Sequence, residues 1–251
     1  MCTIEPFTGC SGFAVPLIKR YVFRPLLKVM LWLVAGWIGF SVLLVLLLKV
    51  VDPPFWSWLV QRELFPPSGY PDEYAHRWVA TDRISPAMRL AVIAAEDQRF
   101  AAHSGFDFKA IKRALDHNLN GGRVRGASTL TQQTAKNLFL WSGRSWVRKG
   151  LEAWFALLLE LLWDKPRILE VYLNIVEFGP GIYGIEAAGR YYFGTPAQAL
   201  SSLQAARLAA VLPNPYRYRA NPPSPYVQRR SQWILQQMRQ LGTISLKAVD
   251  D

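Results

Sequence analysis

An uninterrupted apolar run from Val29 to Leu48 limits what this chain can fold into more than any other feature. Its twenty residues carry no charge, and Lys28 and Lys49 flank them. A helix rises about 1.5 Å per residue, so this run would span roughly 30 Å, the hydrocarbon thickness of a bilayer. Helices in the cores of soluble proteins seldom stay apolar on every face over this length. The run therefore predicts a transmembrane helix.

The charges before this run predict its orientation. The basic residues that precede it are Lys19, Arg20, Arg24 and Lys28. No Asp or Glu lies between Pro6 and Val51, so the positive-inside rule keeps the N-terminus in the cytoplasm. No small-residue cleavage site follows the run. We therefore expect a retained single-pass anchor in the cytoplasmic (inner) membrane, with residues 52–251 on the outer, periplasmic face.

The part of the chain beyond the anchor is basic and has no cysteine. Residues 52–251 contain 24 Lys and Arg residues against 17 Asp and Glu, a net charge of +7. This surplus favours anionic partners such as phosphate, nucleic acid or acidic lipid. Both cysteines, Cys2 and Cys10, precede the anchor, which excludes a disulfide scaffold and a CxxC zinc site. The three histidines lack ligand spacing, so we expect no metal site built on histidine.

We divide the chain into four segments. They are a cytoplasmic segment over 1–28, the anchor over 29–51, a membrane-proximal linker over 52–84 and one domain over 85–251. The linker is rich in proline and aromatic residues, which is typical of an interfacial aromatic belt that continues into a stiff connection. Its aromatic residues include Phe55, Trp56, Trp58 and Phe65.

Helical signals dominate residues 85–251, and alternating strand patterns are scarce. Ser85-Pro86 is an N-cap with proline at the first helical position, and Thr129 with Gln132 forms a capping box. The predicted helices are one from Pro86 to about Glu96-Asp97, and then Phe108–Leu119, Thr129–Leu140, Trp146–Trp163, Pro166–Val176, Ile182–Tyr192, Leu200–Val211 and Tyr226–Leu241. We therefore predict a mainly α domain.

The first candidate for chemistry is Glu96 with its neighbour Asp97. The segment VIAAE leads directly from core residues to a carboxylate. Burial beside apolar residues can raise the pKa of such a glutamate into the range of a usable acid or base. A solvated helix end with two surface acids is the alternative that the residues leave open.

The second candidate is the segment GASTLTQQTAKN, residues 126–137. On a helix, Gln133, Lys136 and Asn137 share one face. Free N–H groups at the helix start lie beside the hydroxyls of Ser128 and Thr129, and such a group suits a phosphate or a sugar. An ordinary capped helix with a polar outer face would show the same pattern.

The third candidate is the segment RSWVRKGLEAW, residues 144–154. Arg148 and Lys149 lie one helical turn before Glu152, a spacing that is usually a surface salt bridge worth about 0.3–0.5 kcal/mol. Here Glu152 begins a strongly apolar stretch, which also fits the edge of a cleft. Two glutamates with cations around them match glycosyl transfer from a sugar pyrophosphate.

These segments and two later ones resemble the motifs of the glycosyltransferase family 51 peptidoglycan polymerases. In chain order the matching segments are EDQRFAAHSG, GASTLTQQTAKN, RKGLE, ILEVYLNIVEFGPGIYGIEAAGRYYFG and LAAVLPNP. The resemblance covers about residues 85–241. No SxxK motif is present, and the chain ends soon after the fifth motif. We therefore expect a monofunctional transglycosylase rather than a bifunctional penicillin-binding protein.

The resemblance implies a fold and a reaction. The fold would be a lysozyme-like helical transglycosylase domain, with a small membrane-proximal jaw over about residues 106–126. The reaction would join lipid II to the growing lipid-linked glycan through β-1,4 bonds, with inversion and release of undecaprenyl pyrophosphate. Glu96 would act as the general base on the acceptor 4-hydroxyl, and Glu152 would be the second catalytic glutamate, near the donor phosphates.

The resemblance also implies binding residues and partners. Lys136, Arg144, Arg148 and Lys149 would contact the pyrophosphate, and Ser128, Thr129, Gln133 and Asn137 would position the donor. Four further motif positions complete the substrate-binding candidates: Asp97, Phe100, His103 and Gln132. We expect no required cofactor, although a divalent cation (Mg²⁺ or Mn²⁺) could assist the leaving pyrophosphate. The expected partners are lipid II, the bilayer and possible cell-wall synthesis or division proteins, and not nucleic acid.

Two other functions remain open. One is a membrane-anchored muramidase or lytic glycosidase of lysozyme-like fold. Such an enzyme needs two carboxylates but has no use for a cationic cluster beside one of them. The other is a non-catalytic cell-wall scaffold, which would leave the residues at the acidic and QQxxKN positions unconstrained.

Overall fold

The structure, a computed structural model, describes residues 24–119, 126, 128–143, 145–242 and 244–250. The chain divides into two compact units, Met1–Leu47 and Leu48–Asp251. In the first unit the described residues belong to one helix, α1 (Arg24–Val50), which continues into the start of the second. The segment Pro25–Val50 is long and apolar enough to cross a membrane. Most of its apolar side chains are exposed, which fits the predicted anchor.

The second unit consists mainly of helices, as predicted. Its helices are α2 (Ser57–Leu64), α3 (Pro86–Glu96), α4 (Phe108–Leu119), α5 (Leu130–Phe139), α6 (Trp146–Leu162), α7 (Lys165–Ile175), α8 (Ile185–Phe193), α9 (Ser202–Val211), α10 (Pro225–Leu241) and α11 (Ile244–Asp250). Helix α3 packs against α9 and α10, and α5 packs against α6 and α7. These two groups carry the first and second glutamate of the predicted site.

Local capping explains where several of these helices begin. Thr129 Oγ1 accepts a hydrogen bond from the Gln132 N–H, and the Gln132 side-chain oxygen accepts one from the Thr129 N–H. This is the predicted capping box. Ser85 caps α3 by a single bond, in which its hydroxyl oxygen accepts from the Met88 N–H, and Pro86 occupies the first helical position. Such caps satisfy N–H groups that a helix start otherwise leaves unpaired.

A small sheet was not predicted. Strand β3 (Ile182–Tyr183) lies between β1 (Ala75–His76), to which it is parallel, and β2 (Glu177–Gly179), to which it is antiparallel. The helix that we expected from Ile182 therefore begins only at Ile185, as α8. Gly184 separates strand from helix with φ of 76°, and a Cβ there would lie 2.6 Å from the Asn174 carbonyl oxygen. Strands of two or three residues are too short to show the alternation of apolar and polar side chains by which a strand is predicted from sequence.

Residues 52–84 differ from the predicted linker. They contain α2 and β1 and belong to the compact unit that begins at Leu48. Trp56 is 1% exposed and Trp58 is half-buried, so neither side chain belongs to an exposed aromatic belt, whereas Phe55 and Phe65 are exposed. The ring of Trp56 packs against His76 and Tyr183 of the small sheet, and that of Trp58 contacts Lys136 on α5.

Helix α4 lies within the segment predicted as the jaw. It has no buried residue, and its largest exposed apolar side chains are those of Phe108, Ile111, Leu115 and Leu119. Residues 120–125 and 127 of the predicted jaw and second motif lie outside the described part of the chain. At the other end of the chain, α11 was not predicted, and it packs its Leu246 and Val249 side chains into the domain.

Candidate active site

The first carboxylate lies at the end of a buried apolar helix. Residues Leu90 to Ala94 of α3 are buried, and Glu96 is the last residue of the helix. Its Oε2 accepts a hydrogen bond of 2.9 Å from Gln133 Nε2 on α5. The Gln133 carbonyl oxygen in turn accepts from the Tyr172 hydroxyl at 3.1 Å. Since Tyr172 occupies that oxygen, the amide N–H of Gln133 is left to face Glu96.

Burial controls the protonation of Glu96. It raises the pKa of this carboxyl above its usual range, which the hydrogen bond from Gln133 and the charges of Arg230 and Lys136 partly offset. Arg230 also donates to the carbonyl oxygen of Ala95 at 3.1 Å, which places its guanidinium beside the end of α3. A half-buried carboxylate with a raised pKa is a stronger base than one in water.

A cavity of about 280 Å³ opens beside Glu96. Its lining comes from the end of α3, from Arg113 on α4 and from Ser128 and Thr129 before α5. The cavity therefore joins the first motif, the second motif and the predicted jaw, which are far apart in sequence. Its size is suited to part of a sugar.

The second carboxylate is held by cations. Glu152 on α6 is buried, and Arg148 Nη1 lies 2.7 Å from its Oε2. Lys149 Nζ pairs with the other oxygen and lies 3.3 Å from Ser128 Oγ. The Glu152 carboxylate thus pairs with two cations, and the sum of these three charges at the start of α6 is positive. The Lys149–Ser128 contact brings this group to the rim of the cavity beside Glu96.

Lys136 connects the two carboxylates electrostatically. Burial lowers the pKa of its ammonium group, the charges of Arg148 and Lys149 lower it further, and those of Glu152 and Glu96 raise it. These interactions place Lys136 within range of both glutamates. Lys136 also lies over the ring of Trp58, 5.3 Å from the ring centroid.

Asp97 and His103 form a buried pair. The carboxylate can only accept, so His103 Nε2 donates to it, at 2.9 and 3.0 Å from its two oxygens. Asp97 Oδ2 also accepts from the backbone N–H of Leu130 at 3.1 Å. Both side chains therefore fasten the start of α5, although Asp97 also borders the cavity.

Three other expected binding residues are buried, where they pack in the core or cap a helix. Phe100 has no exposed surface and lies under the ammonium group of Lys165, 4.5 Å from the ring centroid. Its side chain packs inside the domain in this structure, and a contact of Phe100 with the substrate stays a prediction. Thr129 and Gln132 form the capping box, and the Thr129 hydroxyl also donates to the carbonyl oxygen of Gly105.

The remaining expected residues differ in where the structure places them. Ser128 is exposed at the cavity, whereas Asn137 is buried on α5. Arg144 lies outside the described residues. The side chains that the structure brings together are therefore those of Glu96, Ser128, Gln133, Lys136, Arg148, Lys149 and Glu152.

Three side chains that contact this group or act on its charges were not predicted from the sequence. They are Tyr172, which orients Gln133, Arg230, which acts on Glu96, and Trp58, which contacts Lys136. Tyr172 lies in the fourth motif, on the buried face of α7, which was a signal for it. Arg230 and Trp58 come from helices distant in sequence, and no local pattern pointed to them.

Within the described part of the chain, no group of three or more His, Cys, Asp or Glu side chains could hold a metal ion. A divalent cation at the pyrophosphate stays a prediction. The cations that the chain itself supplies are those of Lys136, Arg148 and Lys149.

Comparison with known proteins shows the family of this chain. A family model described as Transglycosylase matches residues 67–239. The biosynthetic peptidoglycan transglycosylase of Shewanella oneidensis is 58% identical over 231 residues, which cover 91% of this chain and 99% of that protein. The proteins of the same name from Aeromonas hydrophila and Pseudomonas aeruginosa are 63% and 54% identical, over 83% and 89% of this chain and 88% and 95% of their own lengths. Because the family model covers well over half of the chain, and relatives align with it almost from end to end, the chain belongs to the transglycosylase family.

Proposed function

We propose that this protein is a peptidoglycan glycosyltransferase that polymerises lipid II, with Glu96 as the general base. The observation that carries the proposal is the position of Glu96. It ends a buried helix, accepts a hydrogen bond from Gln133 and opens onto a cavity at whose rim the cations of α6 begin. A base and a cationic site for a leaving group are the two parts that this reaction needs.

In the proposed reaction the 4-hydroxyl oxygen of the acceptor GlcNAc attacks the anomeric carbon of the donor MurNAc. The new C–O bond forms as the bond from that carbon to the pyrophosphate oxygen breaks, and the electron pair leaves with undecaprenyl pyrophosphate. Glu96 takes the hydroxyl proton. Attack from the face opposite the leaving group inverts the anomeric centre and gives a β-1,4 bond.

The cationic group would bind the departing pyrophosphate. Arg148 and Lys149 are fixed by Glu152, so their positions are set before a ligand arrives. Lys136 adds a third positive charge on the neighbouring helix α5. Charge-assisted hydrogen bonds of this kind stabilise a phosphate most where water is excluded. In this proposal Glu152 acts by holding the cations near the donor phosphates.

The membrane location is part of the same proposal. Lipid II carries an undecaprenyl tail, so an enzyme that uses it must work at a bilayer surface. The apolar helix α1 has the length and composition of an anchor. The positive charges before it support a cytoplasmic N-terminus and a catalytic domain on the outer face of the inner membrane.

Incubation of the purified full chain with labelled lipid II tests the proposal. We expect glycan polymer together with undecaprenyl pyrophosphate. Cleavage of preformed glycan to fragments would instead support a lytic glycosidase. No reaction with either substrate would support a scaffold and contradict the proposed function.

A further inference from the structure

Helix α2 lies outside the segment that the family model matches, yet it reaches the candidate active site. The match begins at residue 67, whereas α2 spans Ser57–Leu64. It packs against α5, the helix that carries Gln133 and Lys136.

Helix α2 is fastened to the end of α5 by hydrogen bonds. Leu140 is the C-cap of α5, and its carbonyl oxygen accepts from Ser57 Oγ at 2.8 Å and from Gln61 Nε2 at 3.0 Å. The Gln61 side-chain oxygen in turn accepts from the backbone N–H of Ser142 at 2.5 Å. These bonds satisfy groups that a helix end leaves unpaired, and they fix α2 in register with α5.

A buried glutamate fixes the indole of Trp58 from the other side. Trp58 Nε1 donates to Glu177 Oε2 at 3.1 Å, and Tyr216 donates to the other oxygen at 3.0 Å. Arg62 Nε lies 3.4 Å from the same carboxylate, and its guanidinium lies over the rings of Trp58 and Tyr216. The ring of Trp58 is therefore held at both its nitrogen and its face.

The ring held in this way contacts Lys136, whose ammonium lies 5.3 Å from its centroid. Among the described residues, Lys136 makes no ion pair within 4 Å, whereas Arg148 and Lys149 both pair with Glu152. An aromatic face attracts an ammonium group without accepting its N–H hydrogens in ordinary hydrogen bonds. The contact therefore restricts a flexible lysine and leaves its three donors available to an anion.

We propose that Trp58 is a positioning residue, whose ring holds the Lys136 ammonium in place for the pyrophosphate of the lipid-linked donor. This inference rests on the proposed function. Trp58 itself touches neither sugar nor phosphate in this scheme. Its effect passes through Lys136 and appears in the step in which the pyrophosphate departs.

A double-mutant cycle on the full chain in lipid II polymerisation tests this role. We expect Trp58→Leu to lower kcat about tenfold, about 1.4 kcal/mol and within the range of a partly buried cation–π contact, with little change in KM. Trp58→Phe keeps an aromatic ring and should retain most of the rate. In a Lys136→Met background, Trp58→Leu should cause no further loss, because its target is already gone.

Trp141→Leu is the matched control. Trp141 is 44% exposed and lines the same surface pocket as Trp58. We expect this variant to keep the wild-type kcat. Multiplying effects of Trp58→Leu and Lys136→Met, or a wild-type rate for Trp58→Leu, would overturn the inference. Failure of the wild-type protein to make polymer would instead overturn the proposed function.

Fluorinated tryptophan at position 58 separates the ring's electrostatic effect from folding. Each added fluorine weakens the negative face of the ring with little change of its shape. We expect kcat to fall stepwise with the number of fluorines while the melting temperature stays constant. A kcat that does not depend on fluorination would contradict the cation–π contact even if Trp58→Leu failed to fold.

Discussion

At the scale of single residues, two glutamates of the site occupy opposite environments. Glu96 is half-buried, and its hydrogen bond comes from a neutral amide. Glu152 is buried between an arginine and a lysine. Burial raises the pKa of the first, whereas the second is held by paired cations. The same residue type can thus serve as a base in one place and as a support for cations in another.

The pH dependence of polymerisation follows from Glu96 and Lys136. Glu96 must be deprotonated to accept a proton, and its raised pKa moves the acid limb of the rate profile above the usual glutamate range. Lys136 must be protonated to bind phosphate, and its lowered pKa moves the alkaline limb below the usual lysine range. We expect a bell-shaped profile of kcat/KM with lipid II.

Lys136→Arg checks the assignment of the alkaline limb. Arginine stays protonated across the accessible range, so the alkaline limb should move upward or disappear while the acid limb stays in place. An alkaline limb unchanged in this variant would show that another group controls it.

The cationic residues should affect turnover more than folding. A charged contact to phosphate contributes about 1.5–3 kcal/mol. We therefore expect Lys136→Ala and Arg148→Ala each to lower kcat/KM for lipid II roughly 10- to 150-fold. Arg229→Ala, at an exposed position on α10, is the matched control and should leave the rate unchanged. If Lys136→Ala and Arg148→Ala only fail to fold in thermal melts, the two residues are structural partners.

At the scale of elements, the start of α5 determines the geometry of the cleft. Asp97 binds both His103 and the first N–H of this helix. Asp97→Asn removes the negative charge and replaces one acceptor oxygen by an NH2 group, so it weakens the bonds to these two donors. We expect it to lower the free energy of unfolding by about 1–3 kcal/mol and to lower activity with it.

Thermal or denaturant unfolding of Asp97→Asn measures this loss, with exposed Asp72→Asn as the control. A fall in polymerisation without any fall in stability would show that Asp97 acts on the substrate directly. That outcome would support the substrate-binding role that the sequence predicts for Asp97.

The helices of this domain could be predicted because their signals are local. Ser85-Pro86 and the Thr129–Gln132 capping box lie within a few residues of the helices that they begin. The sheet could not, since β1 pairs Ala75 with Ile182 across a long stretch of chain and each strand has two or three residues. Helix α2 could not be predicted for another reason, because Trp58 and the aromatic residues that flank the helix also fit a membrane interface.

The residues of the candidate site also differ in whether local sequence signals or long-range packing reveal them. Glu96, Gln133, Lys136 and Glu152 could be identified from the sequence, since each lies in a motif with its own helical spacing. Trp58 and Arg230 could not, since tertiary packing alone brings them there.

At the scale of the whole molecule, the anchor determines which side of the membrane the domain occupies. The four basic residues before Val29 predict that the C-terminus is translocated. A reporter active only outside the cytoplasm should therefore be active when fused after Asp251 and inactive when it replaces residues 1–20. The opposite pattern would contradict the proposed location and, with it, access to lipid II on the outer face.

In the proposed mechanism the membrane-anchored chain uses Glu96 as its base. Glu96→Gln keeps the size of the side chain and an oxygen for Gln133 to donate to, but it removes the basicity. Lipid II binding and the melting temperature should therefore be preserved. The matched control is Glu73→Gln, an exposed glutamate outside the cleft, which should polymerise at the wild-type rate.

The most direct measurement is the steady-state rate of lipid II polymerisation by the purified Glu96→Gln variant, side by side with the wild-type protein. We expect the rate to fall by at least about 10²-fold, the lower end of the contribution of general acid–base catalysis. Polymerisation by Glu96→Gln at close to the wild-type rate would contradict the general-base assignment.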